Sequence, residues 1–312
     1  MISHPTQALY RPLRSAIIAL MVMTPSAALA SVKVVTTTSD LAALVAEVGG
    51  AHVRVHAMSS PDQDPHYVDP KPSLVLALAR ADLLVFNGLE LEIGWLPPLL
   101  VNSRNAAIQE GGEGFFNASV HIDPLEVPAE VSRAMGDIHP GGNPHYLHDP
   151  RRAAPVALAI GAKLAALDVK NQAAYIERAR QVAGQLEAIA TAQTKRFGQL
   201  SPEQRKVVTY HRSLVYILDW LGLTRPLNVE PRPGIAPSPA HVARVLRTMR
   251  TQKVRTILQE RYYPTRTSDT LARLARAQVV VIPGGAHFTN HNETYTARIK
   301  RTAEVIYDAL NR

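Results

Sequence analysis

The sequence predicts an α/β protein built as two similar parallel-sheet lobes joined by a long, rigid backbone helix. Three observations carry that expectation. From Val32 to Gln109, short β-branched runs alternate with helical stretches. From Asp149 to Leu200 the β-branched runs nearly vanish, and two long stretches rich in Ala, Leu, Gln, Lys and Arg replace them. From Lys206 onward the alternation returns. Strand-helix alternation implies parallel pairing, because a parallel neighbour needs a crossover and the crossover helix covers a face of the sheet.

The elements follow in order. VKVVTTT (Val32 to Thr38) is a β-rich run, and SDLAALVAEVGG after it reads as a helix that Ser39 caps and Gly49-Gly50 stops. His52 to Met58 is the next strand, Lys71 to Ala81 a helix, Asp82 to Gly88 a strand. A helix through Trp95 and a short strand from Ala106 to Gln109 complete the first lobe. In the linker, Asn171 to Phe197 spans roughly 40 Å at helical rise and carries no Pro or Gly pair at which to kink. The second lobe reads as the strand KVVTYH, a helix to Leu221, the segment LNVE and a Ser238-capped helix. The strand VRTILQE, a helix from Ser268, the strand QVVVIP and a last helix close the chain. The expected division is a leader at 1–30, lobes at 31–150 and 201–312, and linker helices at 151–200.

The leader stands apart in composition. Arg11 and Arg14 precede the apolar run Ala16 to Met23, and Pro25 leads into Ala28-Leu29-Ala30. This is the pattern of a secretory signal cleaved after Ala30, and the run falls short of the roughly 20 residues that cross a bilayer. The 312 residues contain no cysteine, which excludes a disulfide framework and an acylated cysteine, so the expected product is free in the periplasm. Loss of two arginines with the leader takes the formal charge from +8 to +6. Lys and Arg are scattered, with no basic run interleaved with aromatics, so no nucleic-acid partner is expected.

The chemistry lies in histidines at strand ends, where parallel sheets collect ligands. His66 sits in DPHYVDPKPS after the second strand, His145 in GDIHPGGNPHYLHDP before the linker, and His211 closes KVVTYH. Prolines stiffen the first two loops by fixing φ and removing donors. Three imidazoles brought to one cleft favour a metal site between the lobes. His139 and His148 flank the second motif and read as exposed loop residues, and His241 reads as surface. Glu260, ending VRTILQE, is placed either to orient a ligand imidazole or to end in a salt bridge.

DPHYVDPKPS with LVLALARADLLVFNGLELE, GDIHPGGNPHYLHDP, VVTYHRSLVYILDWLGL and EPRPGIAPSPAH together resemble the zinc and manganese solute-binding receptors of bacterial ABC importers. The resemblance covers the whole chain after the leader. It implies two α/β lobes around a rigid helix, a divalent ion held between them by His66, His145 and His211, and an inner-membrane permease as partner of a monomeric receptor. An imidazole set leans towards Zn²⁺ over Mn²⁺, which prefers oxygen. The resemblance also exposes a departure. Many such receptors carry an Asp shortly after the last strand, and here QVVVIP runs into GGAHFTNHNETY with none. His287, His291, Glu293, Asp64 and water remain as fourth ligands. His287 is the first choice, because Gly284 and Gly285 let the backbone approach closely.

Two other readings compete. Three histidines and water also make a hydrolytic zinc site, but the chain has neither HExxH nor GxSxG. A manganese receptor of the same family is the other. A surface adhesin is weaker still, with no repeat array and no acylated cysteine.

Overall fold

The structure is a computed structural model that describes residues 1–2, 31–130 and 139–312. The expected cleavage site lies outside the described residues, and Ser31–Arg312 forms one compact unit.

Two all-parallel sheets form. The first comprises β1 (Val32–Thr36), β2 (Val53–Ala57), β3 (Leu83–Phe86) and β4 (Phe115–Asn117), ordered β2-β1-β3-β4. The second comprises β5 (Val208–Thr209), β6 (Thr256–Glu260) and β7 (Gln278–Ile282), ordered β5-β6-β7. β6 is buried at every position, as a central parallel strand covered on both faces must be.

α1 (Ser39–Gly49) is capped by Thr38, one residue before the expected Ser39. The Thr38 hydroxyl accepts the Leu41 N–H at 3.3 Å, and Gly50 ends the helix at φ 57°. α2 (Pro72–Ala79) starts on its proline. The helix expected through Trp95 does not form. Gly88, Leu89 and Glu90 all take left-handed backbone, at φ 80°, 53° and 62°, which no α-helix tolerates. The turn is held from inside. The buried Glu92 carboxylate accepts the Asn87 and Gly88 N–H groups at 2.7 and 3.1 Å and the Thr37 hydroxyl at 2.6 Å. α3 (Leu96–Ser103) therefore begins where the expected helix was to stop. Ala106–Ile108 is a 3₁₀ turn capped by the Asn105 side chain, and the last strand falls later, at Phe115–Asn117.

α4 (Pro150–Leu167) and α5 (Gln172–Phe197) form the linker. The 26 residues of α5 reach about 39 Å at 1.5 Å per residue. Tyr175, Ala179, Leu186, Ala190 and Phe197 make its buried stripe. That stripe belongs to one core running through both lobes: Leu44 and Leu83 from the first, Ile160 and Leu186 from the linker, Leu258 and Ile299 from the second. Smaller clusters around Leu84 and Trp95, and around Met249 and Ile257, cover the outer sides of the two sheets.

The second lobe is completed by α6 (Val215–Leu221), α7 (Pro239–Thr251), α8 (Arg266–Ala275), α9 (Phe288–His291) and α10 (Tyr295–Leu310). Ser238 caps α7 as expected, accepting the His241 N–H at 3.3 Å. Direct bonds tie the lobes. The Tyr295 hydroxyl donates to the Leu147 carbonyl at 2.6 Å, the Tyr216 hydroxyl to the Asn143 carbonyl at 2.6 Å, and the Ala286 N–H to Asp40 at 2.7 Å.

Candidate metal centre

His66 and His145 are presented by the same three-residue device. In Asp64-Pro65-His66 the Asp64 carboxylate accepts both the His66 backbone N–H at 3.0 Å and its ring Nδ1–H at 2.7 Å. In Asn143-Pro144-His145 the Asn143 carbonyl oxygen does the same, at 3.1 and 2.9 Å. The intervening proline fixes φ and offers no N–H to compete for that oxygen. With Nδ1 used as donor, Nε2 carries the lone pair. The first loop is further anchored by the Trp95 indole, which donates to the Pro65 carbonyl at 2.9 Å.

His211 reaches the same state from a different source. It follows β5, and its Nδ1 donates to Glu230, which lies in the NVEPRPG segment and is itself steadied by the Gly234 N–H at 3.1 Å. Three imidazoles thus present Nε2, each with its tautomer set by an oxygen behind it. This is the outer shell that metal-binding histidines require.

The rings converge. His66 lies 5.1 Å from His145 and 6.3 Å from His211 between centroids, and His145 lies 5.9 Å from His211. His139 joins them, its ring 5.3 Å from His66 and the two Nε2 atoms 3.2 Å apart. Nitrogens bound at about 2.0–2.1 Å to one tetrahedral ion stand about 3.3 Å from each other, with ring centroids about 5 Å apart. The His66–His139 and His66–His145 spacings match those values, and the distances to His211 exceed them by about an ångström. Among the described residues no three His, Cys, Asp or Glu side chains stand together at ligating distance. The His145 Nε2 is buried with no partner, and in a native protein such an atom calls for an explanation. Burial, followed by the neighbouring rings of His66, His211, His148 and His139, holds the His145 imidazole well below its usual range, so it is neutral and ready to ligate. At Asp64 burial works to raise the carboxyl, but the hydrogen bonds and charge of His66 outweigh it and leave the group below the usual carboxylate range.

A cavity of about 210 Å³ opens onto the cluster, with Glu126, His139, His145, His211 and Arg212 on its wall. Glu126 bridges Arg212 at 3.0 Å and Arg225 at 3.1 Å on one side of the mouth, a group that keeps a net positive charge.

Three expected positions, His66, His145 and His211, come together, and His287 does not join them. Its ring packs on His291 instead, at 5.8 Å. The Gly284-Gly285 loop that was to swing it inward is fixed over the start of α1, where Ala286 is buried and its N–H is held by Asp40. His139, read from sequence as an exposed loop residue, is half-buried and stands in the cluster. His148 is buried rather than exposed and accepts a hydrogen bond from the buried Arg298 at 2.8 Å. His241 is buried too, donating to the Asn228 carbonyl at 3.0 Å. Among the described residues Glu260 has no salt-bridge partner. Ser213 donates to it, and burial pushes its carboxyl above the usual range. Glu230 was missed, because nothing local connects it with His211. The paired roles of Asp64 and Asn143 had a visible signal, an Asx two residues before each His.

A family model for the zinc-uptake complex component A periplasmic (ZnuA) matches residues 34–309. The manganese ABC transporter substrate-binding lipoprotein PsaA of Streptococcus pneumoniae is 23% identical over 286 residues, covering 90% of this chain and 89% of its own length. The metal ABC transporter substrate-binding lipoprotein FimA of Streptococcus parasanguinis is 23% identical over 251 residues, covering 80% and 78%. Among solved structures, ZnuA superposes with a TM-score of 0.75 at 23% identity, covering 90% of this chain and 99% of that one. A mutant of the laminin-binding adhesin Lmb of Streptococcus agalactiae gives 0.74 at 24%, covering 90% and 100%. The Mn-bound periplasmic metal binding protein of Candidatus Liberibacter asiaticus gives 0.73 at 21%, covering 90% and 100%. The structural likenesses are likenesses of fold.

Proposed function

Because the chain belongs to the zinc-uptake complex component A periplasmic family, we propose that it takes zinc as cargo between its lobes, through His66, His139, His145 and His211, and delivers it to an importer's membrane permease. It is a solute-binding receptor of metal ABC transport and not an enzyme. The observation that carries the ligand assignment is the convergence of imidazoles whose Nδ1 atoms are already taken, above all the buried, partnerless Nε2 of His145.

The donor set supports zinc over manganese. Mn²⁺ favours carboxylate and water oxygen, whereas imidazole suits Zn²⁺. The nearby carboxylates Asp64 and Glu230 face the backs of the rings, leaving nitrogen towards the ion. The relative PsaA is named for manganese, and for this chain the choice of zinc rests on its own donor set. Copper(II) binds imidazole more strongly than zinc does, and selectivity against it rests on geometry and supply.

In this reading residues 1–30 are a leader removed after Ala30, and 31–150 and 201–312 are the lobes on either side of the 151–200 linker. The receptor works as a free monomer in the periplasm. PsaA and FimA are named lipoproteins, and these 312 residues include no cysteine to acylate.

Metal analysis of the purified protein, followed by competition among zinc, manganese and copper, tests the proposal. The expected result is one tightly held zinc that His145→Ala releases. Manganese retained against zinc, or wild-type zinc affinity in a His66→Ala/His145→Ala/His211→Ala variant, overturns it.

A further inference from the structure

His287 and His291 are metal-ligating side chains that the central cluster does not use. His287 is the N-cap residue before α9 and His291 its last residue, and the His291 N–H donates to the His287 carbonyl at 3.1 Å. Residues four apart on a helical turn leave the same side of it, and the two ring centroids stand 5.8 Å apart at 71°. Among the described residues no hydrogen bond takes a ring nitrogen of either, in contrast to His66, His145, His148, His211 and His241. His291 is exposed and His287 half-buried. The turn is braced. Glu293 accepts the His287 backbone N–H at 2.8 Å through one oxygen and the Arg301 guanidinium at 3.0 Å through the other, which fixes α9 to α10.

The loop that precedes the pair reaches a cavity shared with the central site. Gly284 and Gly285, which open the same loop, line a small cavity of about 40 Å³ that has His145 and His148 on its wall. That volume holds a water or a few.

We propose that His287 and His291 form a second, surface site that chelates one borderline divalent ion, zinc or copper(II), with water completing its coordination. A histidine pair at i and i+4 is the arrangement by which one helix face grips zinc. Two imidazoles on one tetrahedral ion have centroids about 5 Å apart, so the rings need to close by less than about 1 Å. The exposed His291 side chain is free to make that movement. With two protein ligands the site binds more weakly than the central cluster and exchanges its ion readily. It holds metal on the turn that follows the Gly284-Gly285 loop in the chain.

The test uses the full chain with its leader removed and zinc alone as probe, in calorimetry and equilibrium dialysis. Wild type takes up two ions, one tightly and one weakly. His287→Ala/His291→Ala abolishes the weak event and leaves the tight one unchanged. The variant His66→Ala/His139→Ala/His145→Ala/His211→Ala abolishes the tight event and leaves the weak one. In that second variant copper(II) gives a two-nitrogen electron paramagnetic resonance signature, which the added loss of His287 and His291 removes. His291→Ala alone, at an exposed position, also loses the weak event while keeping the wild-type circular dichroism spectrum. A single binding event in wild type, or a weak event that survives His287→Ala/His291→Ala, overturns the proposal.

Discussion

The most discriminating perturbation of the central site is at Asp64, which touches the ring of His66 at Nδ1, away from the face offered to metal. Two changes separate its two contributions. Asp64→Ala removes the acceptor for both the His66 backbone N–H and its Nδ1–H, bonds of 3.0 and 2.7 Å. The ring then loses its fixed tautomer and orientation, and loss of such an outer partner typically costs 10–100-fold in metal affinity, about 1.4–2.7 kcal/mol. Asp64→Asn keeps an oxygen in place and removes only the charge, turning the first motif into a copy of Asn143-Pro144-His145. A hydrogen bond to a charged group exceeds a neutral one by about 1 kcal/mol, which is about fivefold. The expected order of zinc affinity is wild type, then Asn a few-fold weaker, then Ala weaker by at least tenfold. Competition against a chromogenic chelator at neutral pH reads this directly. Wild-type affinity in Asp64→Ala refutes the orienting role. Equal losses in Asn and Ala refute the division into geometry and charge.

His139→Ala is expected to weaken zinc binding by less than His145→Ala does, because His145 is the more deeply buried ligand, and calorimetry on the two variants gives the ranking. Zinc affinity falls as the pH drops through the ordinary imidazole value of about 6.5, since protons compete for the ligand nitrogens. His145, kept neutral by burial and then by the neighbouring rings, joins that fall only at lower pH, and a flat titration down to about pH 5 contradicts imidazole ligation. Zinc at a thousandfold excess over its dissociation constant should stabilise the fold by about 4 kcal/mol. Thermal melts with and without a chelator check that gain, and it should vanish in His145→Ala.

The sheets were legible in the sequence because β-branched runs and apolar helical stretches report burial locally. Every strand of the second sheet lies inside an expected run, since β5, β6 and β7 are short apolar segments with no competing turn chemistry. The errors in the first lobe arose where a tertiary contact decided the backbone. NGLELE has helical composition, yet the buried Glu92 gathers the N–H groups of Asn87 and Gly88 and holds left-handed turns in place. Of the central site, His66, His145 and His211 were readable from proline framing and strand-end position. His139 was not, because Pro140 and two glycines after it read as open loop, and its approach to His66 spans 73 residues. Glu230 reaches His211 across 19 residues, with no periodicity linking them.

The Asx-Pro-His device orients two of the proposed ligand rings from within their own motifs. Within three consecutive residues the first supplies the oxygen, the second removes the competing donor, and the third receives a fixed ring orientation, while Trp95 and Asn87 brace the proline carbonyls from outside. Asp-Pro-His is therefore a candidate for transplantation into surface loops of unrelated scaffolds, where an imidazole with a preset tautomer is otherwise hard to install. His211 cannot be moved in this way. Its orientation depends on a glutamate delivered by a separate segment, and a graft would have to carry both pieces of backbone at their native separation.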